Sequence, residues 1–192
     1  HKKQRIMKRS EQLSKLNETK EWDVIIIGGG ASGLGTALDA ASRGYKTIMV
    51  EAVDFAKGTS SRSTKLVHGG VRYLEQGDIS LVKEALKERG LMAQNAGHVV
   101  KNQTFVIPNY NWWGGYFYTI GLTVYDLLAG RLSLGRSKYI SKKKTIELLP
   151  TVEQKGLVSG VIYHDGQFDD SRLAINLAQT AVEKGACILN YT

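Results

Sequence analysis

The stretch from Trp22 to Glu51 constrains the fold of this chain more than any other. It opens with a β-branched apolar run, Val24 to Ile27, which has the length of a strand buried in a parallel sheet. Glycines follow at once in the pattern G-x-G-x-x-G, then a small-residue helix, a second strand and an acidic residue. This order predicts a βαβ unit with a parallel sheet.

Each of the three motif glycines has a mechanical reason. Gly28 allows a tight turn, Gly30 lets the backbone approach a pyrophosphate, and Gly33 lets the helix lie close to the strand. The helix N-terminus, where Ser32 lies, offers unpaired amides to phosphate groups. Glu51 stands 18 residues after Gly33, where a carboxylate reaches a ribose hydroxyl pair. These five residues predict a dinucleotide site.

Composition and charge narrow the class of protein. The 192 residues are 42% hydrophobic and 23% charged, which is ordinary for a soluble α/β protein with a sizeable core. The net charge of +8 is concentrated in the first twenty residues. Such a patch meets acidic lipid headgroups or nucleic acid, or is simply solvated. We expect no nucleic-acid partner, because aromatic residues are not interleaved with the charge as a stacking surface requires.

Other features exclude or qualify further site types. Cys187 is the single cysteine, so an internal disulfide is impossible, and the four histidines lie far apart without ligand-spaced partners, so we predict no metal site. No run reaches the length of a membrane span. Tyr116 to Leu134 is aromatic and apolar, which predicts a helix packed in a second domain or, as the alternative, one resting on a membrane interface.

A second motif lies between residues 58 and 75. Thr59, Ser60 and Ser61 suit hydrogen bonding to a dinucleotide, although a polar surface turn explains them equally well. The string Lys-Leu-Val-His-Gly-Gly-Val-Arg-Tyr-Leu then begins at Lys65. Its two adjacent glycines let the backbone come near a ligand beside His68.

This second motif closely resembles the signature of the FAD-dependent glycerol-3-phosphate dehydrogenases and their oxidase relatives. The likeness continues through Leu81-Val82, Tyr125-Asp126 and Asp169 to Leu173, so it covers nearly everything after residue 22. The resemblance implies an α/β fold, in which a Rossmann-like FAD-binding domain with a parallel sheet is joined to part of an α+β substrate-binding domain.

The resemblance also implies roles for individual residues. FAD is the implied cofactor, with Glu51 on the adenosine ribose, Thr59, Ser60 and Ser61 near the diphosphate and flavin, Lys65, Leu66 and His68 lining the flavin ring, and Arg72 and Tyr73 facing the substrate. The implied reaction oxidises sn-glycerol 3-phosphate to dihydroxyacetone phosphate, with hydride passing to flavin N5. Arg72 offers a planar fork to the phosphate or the carbinol oxygen. His68 either accepts the hydroxyl proton or orients and contacts the flavin.

Partners and location follow from the same resemblance. Electrons pass to quinone in the dehydrogenases and to oxygen in the oxidases, and the basic arm favours a quinone-linked enzyme on an anionic membrane surface. We therefore expect a cytoplasmic protein, peripheral on the inner face of the cell membrane, and a homodimer as its assembly. The alternatives are an oxygen-using oxidase, another FAD amine or hydroxy-acid oxidase, and a nucleotide-binding fragment that is inactive without a later half.

The predicted domain order has four parts. Residues 1–21 form a basic arm, flexible or weakly helical; residues 22–100 are the first part of the FAD-binding domain; residues 101–164 belong to the substrate-binding domain; residues 165–192 return to the FAD-binding domain. The dipeptide Asp165-Gly166 predicts a turn after a strand at Val158 to Tyr163. Because the last strand ends with the chain, we expect the front portion of a longer polypeptide.

Overall fold

A computed structural model describes residues 7–70, 73 and 77–192. In chain order its elements are α1 (Arg9–Glu18), β1 (Val24–Ile27), α2 (Ala31–Ser42), β2 (Thr47–Glu51), a 3₁₀ turn (Thr59–Ser61), β3 (Leu66–Val67), α3 (Ile79–Asn95), β4 (Val100–Asn109), α4 (Gly114–Ala129), a second 3₁₀ turn (Gly130–Leu132), β5 (Lys138–Ser141), α5 (Lys142–Leu148), β6 (Ser159–Phe168), α6 (Asp170–Glu183) and β7 (Cys187–Asn190).

The chain divides into two compact units. One runs to Lys65 and resumes over Asp169–Thr192, and the other is Leu66–Phe168. The sequence places the first change of domain at residue 100, whereas the chain leaves the first unit directly after Lys65. The difference arises because α3 packs against α4 around Leu86 and Tyr125 and so belongs to the second unit.

The first unit is built on a parallel sheet with the strand order β1-β2-β7. The helices α2 and α6 pack against each other on this sheet. Their facing residues are mostly alanines, which let two helices approach closely. Fully buried members of this core include Leu34, Ala37, Met49, Ala178 and Ala181. The predicted Rossmann-like arrangement is confirmed.

The basic arm is more ordered than its composition predicts. From Arg9 it forms α1, which packs against β7. The Gln12 side chain is buried, and its Oε1 accepts a hydrogen bond of 3.0 Å from the Ile188 amide. The Lys15 ammonium group donates to the carbonyl of Gly185. At least one basic side chain of the arm therefore makes a contact inside the first unit.

The second unit is an antiparallel sheet centred on β6, with helices packed on it. β6 pairs with β4 along ten residues and also with β5 and β3. The turn predicted at Asp165-Gly166 is wrong, because both residues continue β6 and pair with Gln103 and Asn102. The Asp78 carboxylate caps the N-terminus of α3 by accepting a hydrogen bond of 3.0 Å from the Leu81 amide.

The α4 helix has two contrasting faces. Leu122 and Tyr125 are buried, which agrees with the packed interpretation of this stretch. The other face leaves Phe117, Ile120 and Leu127 exposed, the last at 75%. Across the described residues, no helix combines the length and the apolar character that crossing a membrane requires.

Candidate functional site

The glycine turn joins β1 to α2 with the tightness that the motif predicts. Gly28 adopts a φ of 109°, and its amide donates a 2.8 Å hydrogen bond to the Val50 carbonyl on β2. Only glycine adopts such a φ without strain. A Cβ on Gly33 would overlap the carbonyl oxygen of Gly28. The helix therefore lies against the strand as closely as its backbone allows.

The hydroxyl segment, residues 59–63, contacts this turn at the N-terminus of α2. The Ala31 amide donates a 2.8 Å hydrogen bond to Ser60 Oγ, and a Cβ on Gly30 would lie 3.0 Å from the same oxygen. Thr59 and Ser61 belong to the same 3₁₀ turn. Ser32 is exposed in the first turn of α2, where the helix amides have no partner within the helix. The structure thus brings together two stretches that the sequence separates by about thirty residues.

Glu51 lies at the end of β2 and reaches back to the glycine turn. Its Oε2 accepts a 2.6 Å hydrogen bond from the Gly29 amide, and its Oε1 accepts one of 2.9 Å from the Val53 amide. These two backbone hydrogen bonds, that of Val53 first, lower the pKa of Glu51. The carboxylate is therefore fixed and ionised at neutral pH.

Lys65 ends the first unit in a left-handed backbone conformation, with a φ of 58°. Its ammonium group donates to Asp170 Oδ1 at 2.7 Å and to the Ser61 carbonyl at 3.2 Å. The Ser63 hydroxyl donates to the other oxygen of Asp170 at 2.7 Å. The Asp170 side chain is buried, while that of Lys65 is 48% exposed. In the structure Lys65 ties the hydroxyl segment to α6.

In the second unit the His68 segment is held through its glycines. The amide of Gly70 donates a 3.2 Å hydrogen bond to His68 Nδ1, and the amide of Gly69 donates one of 2.8 Å to the Tyr125 hydroxyl oxygen. Both glycines are buried, while the His68 side chain is exposed. An imidazole whose Nδ1 accepts a hydrogen bond carries its proton, when neutral, on Nε2.

The remaining predicted residues are placed as follows. Leu66 lies in β3 and pairs with Gln167. Tyr73 is 42% exposed, and its amide donates a 2.8 Å hydrogen bond to the Gly70 carbonyl. Arg72 lies outside the described residues. Within the described part of the chain, no three His, Cys, Asp or Glu side chains are grouped so that they could hold a metal ion.

Two further residues shape this region although the motifs above do not include them. Gly29 is not one of the three motif glycines, yet its amide holds Glu51, and a Cβ there would lie 2.9 Å from the Glu51 Cβ. The run of three consecutive glycines was the available signal. Asp170 organises Ser63 and Lys65, but no local pattern indicates that a carboxylate 105 residues further along the chain is the partner of Lys65.

The first unit has the features that a flavin dinucleotide requires. Gly30 leaves no Cβ between the backbone and a diphosphate, Gly28 and Gly33 allow the tight turn and the close approach of helix and strand, and the N-terminus of α2 supplies amides and a favourable dipole. Glu51 offers an ionised carboxylate at the end of the second strand. The residues present therefore fit the adenosine diphosphate portion of FAD.

This fold, together with the glycine turn at the N-terminus of α2 and Glu51, defines a class, the nucleotide-binding flavoproteins. Sequence comparison gives the family. The family described as FAD dependent oxidoreductase matches residues 23–192. The chain belongs to this family, whose cofactor is FAD.

Within the family, this chain is similar to glycerol-3-phosphate dehydrogenases. It is 45% identical over 190 residues to the mitochondrial glycerol-3-phosphate dehydrogenase of Rattus norvegicus and 46% identical to that of Saccharomyces cerevisiae, each alignment covering 95% of this chain. The glycerol-3-phosphate dehydrogenase of Bacillus halodurans complexed with FAD superposes with a TM-score of 0.69 at 34% identity, over 95% of this chain and 29% of that one. The chain spans 26% and 29% of the rat and yeast relatives.

Proposed function

We propose that this chain supplies the first part of the FAD site of an enzyme that oxidises sn-glycerol 3-phosphate to dihydroxyacetone phosphate and passes the electrons to a quinone. The similarity to dehydrogenases of this substrate supports the proposal, and it extends over 95% of the chain. The relatives are longer than this chain, so the complete site is expected to include residues beyond these 192.

One observation carries the proposal. Glu51, Ser60 and the glycine turn converge in one unit, held by hydrogen bonds from the Gly29 and Ala31 amides. A purely structural turn does not require a fixed carboxylate and a hydroxyl at the same helix N-terminus. A dinucleotide requires both, because it presents a diphosphate and a ribose within one molecule.

The chain's own residues have separate tasks in this reaction. When bound, FAD supplies the hydride acceptor at N5 of its ring, and a base of the complete site takes the proton of the substrate hydroxyl. His68, with Nδ1 occupied by the Gly70 amide, presents an Nε2 proton, so we assign it to orienting an oxygen of the substrate or flavin rather than to accepting the hydroxyl proton. Arg72 and Tyr73 remain the proposed contacts to the substrate, with the guanidinium on the phosphate.

Flavin reduction tests this function. The purified full-length protein is expected to show flavin absorbance that bleaches when glycerol 3-phosphate is added without oxygen. Glycerol, which lacks the phosphate, is the matched control and should leave the band unchanged over the same period. A colourless protein that does not take up added FAD would contradict the proposal and favour a silent nucleotide-binding protein. Bleaching by an amino acid or a hydroxy acid instead would identify another oxidase of the same fold.

The electron acceptor requires its own experiment. After anaerobic reduction by glycerol 3-phosphate, a short-chain quinone analogue should restore the flavin band much faster than dissolved oxygen does. The reverse order would make the protein an oxidase. Both rates are measured on the same reduced sample, so incomplete loading with FAD affects them equally.

Membrane attachment is the second part of the proposal. The exposed apolar face of α4, with Phe117, Ile120 and Leu127, supports contact with a lipid interface, and the basic residues of the arm favour anionic headgroups. The full-length protein is expected to sediment with anionic vesicles at low salt and to be released at high salt, because salt screens the headgroup attraction. Protein that stays in the supernatant under both conditions would refute the attachment.

Location and assembly are the final parts of the proposal. The cytoplasmic face of the cell membrane is the location expected from the sequence, and the rat and yeast relatives are named as mitochondrial. Fractionation of cells that express the tagged full-length protein distinguishes the two. Light scattering after size exclusion tests the expected homodimer.

A further inference from the structure

A buried polar cluster lies in the second unit, where α3 and α4 pack and β6 runs beside them. Arg89, Tyr125 and Asp165 are 1%, 1% and 3% exposed. Arg89 Nη1 lies 3.0 Å from Asp165 Oδ1, and the Tyr125 hydroxyl donates a 3.0 Å hydrogen bond to Asp165 Oδ2. Removing an ion pair from water is costly, and apolar residues of similar size often stabilise a core equally well. The cluster therefore calls for an explanation other than stability.

The cluster ends on the peptide that follows His68. The Tyr125 hydroxyl oxygen accepts the 2.8 Å hydrogen bond from the Gly69 amide while its proton goes to Asp165. Burial, and after it the charge of Asp165, raises the pKa of the Tyr125 phenol, so it stays protonated and continues to donate. A Cβ on Gly69 would lie 2.5 Å from the Tyr125 hydroxyl oxygen and would overlap the side chain of Leu86. The absence of a side chain at Gly69 is what allows this hydrogen bond.

The same contact governs the direction of the His68 side chain. The peptide group that joins His68 to Gly69 is planar. A hydrogen bond that fixes the Gly69 amide therefore also fixes the His68 carbonyl and the position of the His68 Cα. The next amide, that of Gly70, donates to His68 Nδ1 at 3.2 Å. Gly70 adopts a φ of 71°, the left-handed conformation that glycine tolerates. A chain of contacts thus runs from the buried ion pair to one nitrogen of an exposed imidazole.

We propose that Tyr125, held in place by Asp165 and Arg89, is a positioning residue for His68. This inference rests on the proposed oxidation of glycerol 3-phosphate. Tyr125 is buried and acts through the Gly69 peptide, so it orients the imidazole without touching the substrate or the flavin ring itself. Asp165 selects the direction of the phenol proton, which leaves the phenol oxygen free to accept from Gly69.

A double-mutant cycle between Tyr125 and His68 tests the proposal. Tyr125→Phe removes the hydroxyl and keeps the ring, and His68→Gln removes the imidazole. Anaerobic flavin reduction by glycerol 3-phosphate in the FAD-loaded full-length protein is expected to slow about tenfold in Tyr125→Phe, with little change in the half-saturating substrate concentration, because the loss is one of orientation. In the His68→Gln background the same change is expected to cost less than about twofold, because two residues that act through one group are not additive.

The matched control is Tyr110→Phe. The Tyr110 hydroxyl donates a 2.9 Å hydrogen bond to the Glu153 carbonyl in the same unit but has no part in the cluster, so its removal should leave the reduction rate unchanged. Equal slowing by Tyr125→Phe in both backgrounds would overturn the proposal, as would a wild-type rate in Tyr125→Phe or in His68→Gln. If the unmodified protein is not reduced at all, the proposed function itself has failed, and that result is distinct from these.

Hydrogen exchange provides a test that needs no variant. In the unmodified FAD-loaded protein, the Gly69 amide is buried against the Tyr125 hydroxyl oxygen and should exchange its hydrogen for deuterium slowly. A peptide covering residues 64–70 should therefore not reach full deuterium uptake within seconds. Complete exchange of this peptide within seconds would mean that the phenol does not hold the His68 segment. This measurement decides the case if Tyr125→Phe does not fold.

Discussion

The Asp170 carboxylate allows a quantitative test of how the first unit is held together. It is buried at the start of α6 and accepts hydrogen bonds from the Lys65 ammonium group, the Ser63 hydroxyl and the Ser171 amide. Burial by itself raises the pKa of a carboxyl group, but the hydrogen bonds from Lys65, Ser63 and Ser171 outweigh it and lower the pKa of Asp170 from 3.8 to about 2. Asp170→Asn removes the charge and keeps the size of the side chain.

The magnitude follows from linkage between protonation and folding. Because each tenfold change in acidity corresponds to about 1.4 kcal/mol, this lowered pKa contributes about 2 kcal/mol to the free energy of unfolding at neutral pH. A depressed carboxyl pKa stabilises the folded state above the unfolded pKa and loses that effect as the pH falls through the folded pKa. About half of the contribution should therefore remain at about pH 3, and little of it at about pH 2.

The assay is urea unfolding of the unmodified protein and of Asp170→Asn, followed by tryptophan fluorescence between about pH 7 and pH 3. The variant should be less stable by about 2 kcal/mol at neutral pH, and the gap should close toward acid. Asp39→Asn is the matched control, because Asp39 pairs with Arg43 in an exposed position on α2, where an ion pair contributes little. A gap at neutral pH that stays constant down to about pH 3 would refute the linkage argument, and so would no gap at all.

Two further predictions concern the glycine turn and Glu51. Gly33→Ala should cost about 1–3 kcal/mol of stability and abolish flavin retention, because the new methyl overlaps the Gly28 carbonyl. Gly35→Ala, with nothing within 4 Å of the new methyl, should instead stabilise α2 by about 0.5–1 kcal/mol. Thermal melting with flavin release measures both effects. Glu51→Gln should raise the dissociation constant for FAD about tenfold in a fluorescence titration, because an amide cannot accept from both the Gly29 and Val53 amides; an unchanged constant would exclude the ribose role.

The features that the sequence predicts correctly have local determinants. The turn at Gly28, the close approach at Gly33 and the strand that ends at Glu51 each follow from steric rules that act within a few residues. The Asp78 cap of α3 is equally local, since a cap and the amide it binds are three residues apart.

Two features depart from their sequence pattern because of contacts with residues far along the chain. An Asp-Gly pair is a strong turn signal, yet Asp165 continues β6, because its carboxylate pairs with Arg89 and its backbone pairs with Gln103. The basic arm is predicted to be flexible or weakly helical, yet Gln12 is buried against β7. In both cases the partner is distant along the chain and decides the outcome.

The sequence by itself determined a parallel βαβ unit with a nucleotide-binding glycine turn, because glycine spacing and strand pattern reflect steric rules that act over a few residues. It also determined membership of an FAD-dependent family. Only the tertiary structure decided that Lys65 pairs with Asp170, that the chain changes unit after Lys65, and that Tyr125 holds the Gly69 amide. Those contacts join residues 105 and 56 positions apart. Their partners are selected by packing of the whole unit, which no local pattern encodes.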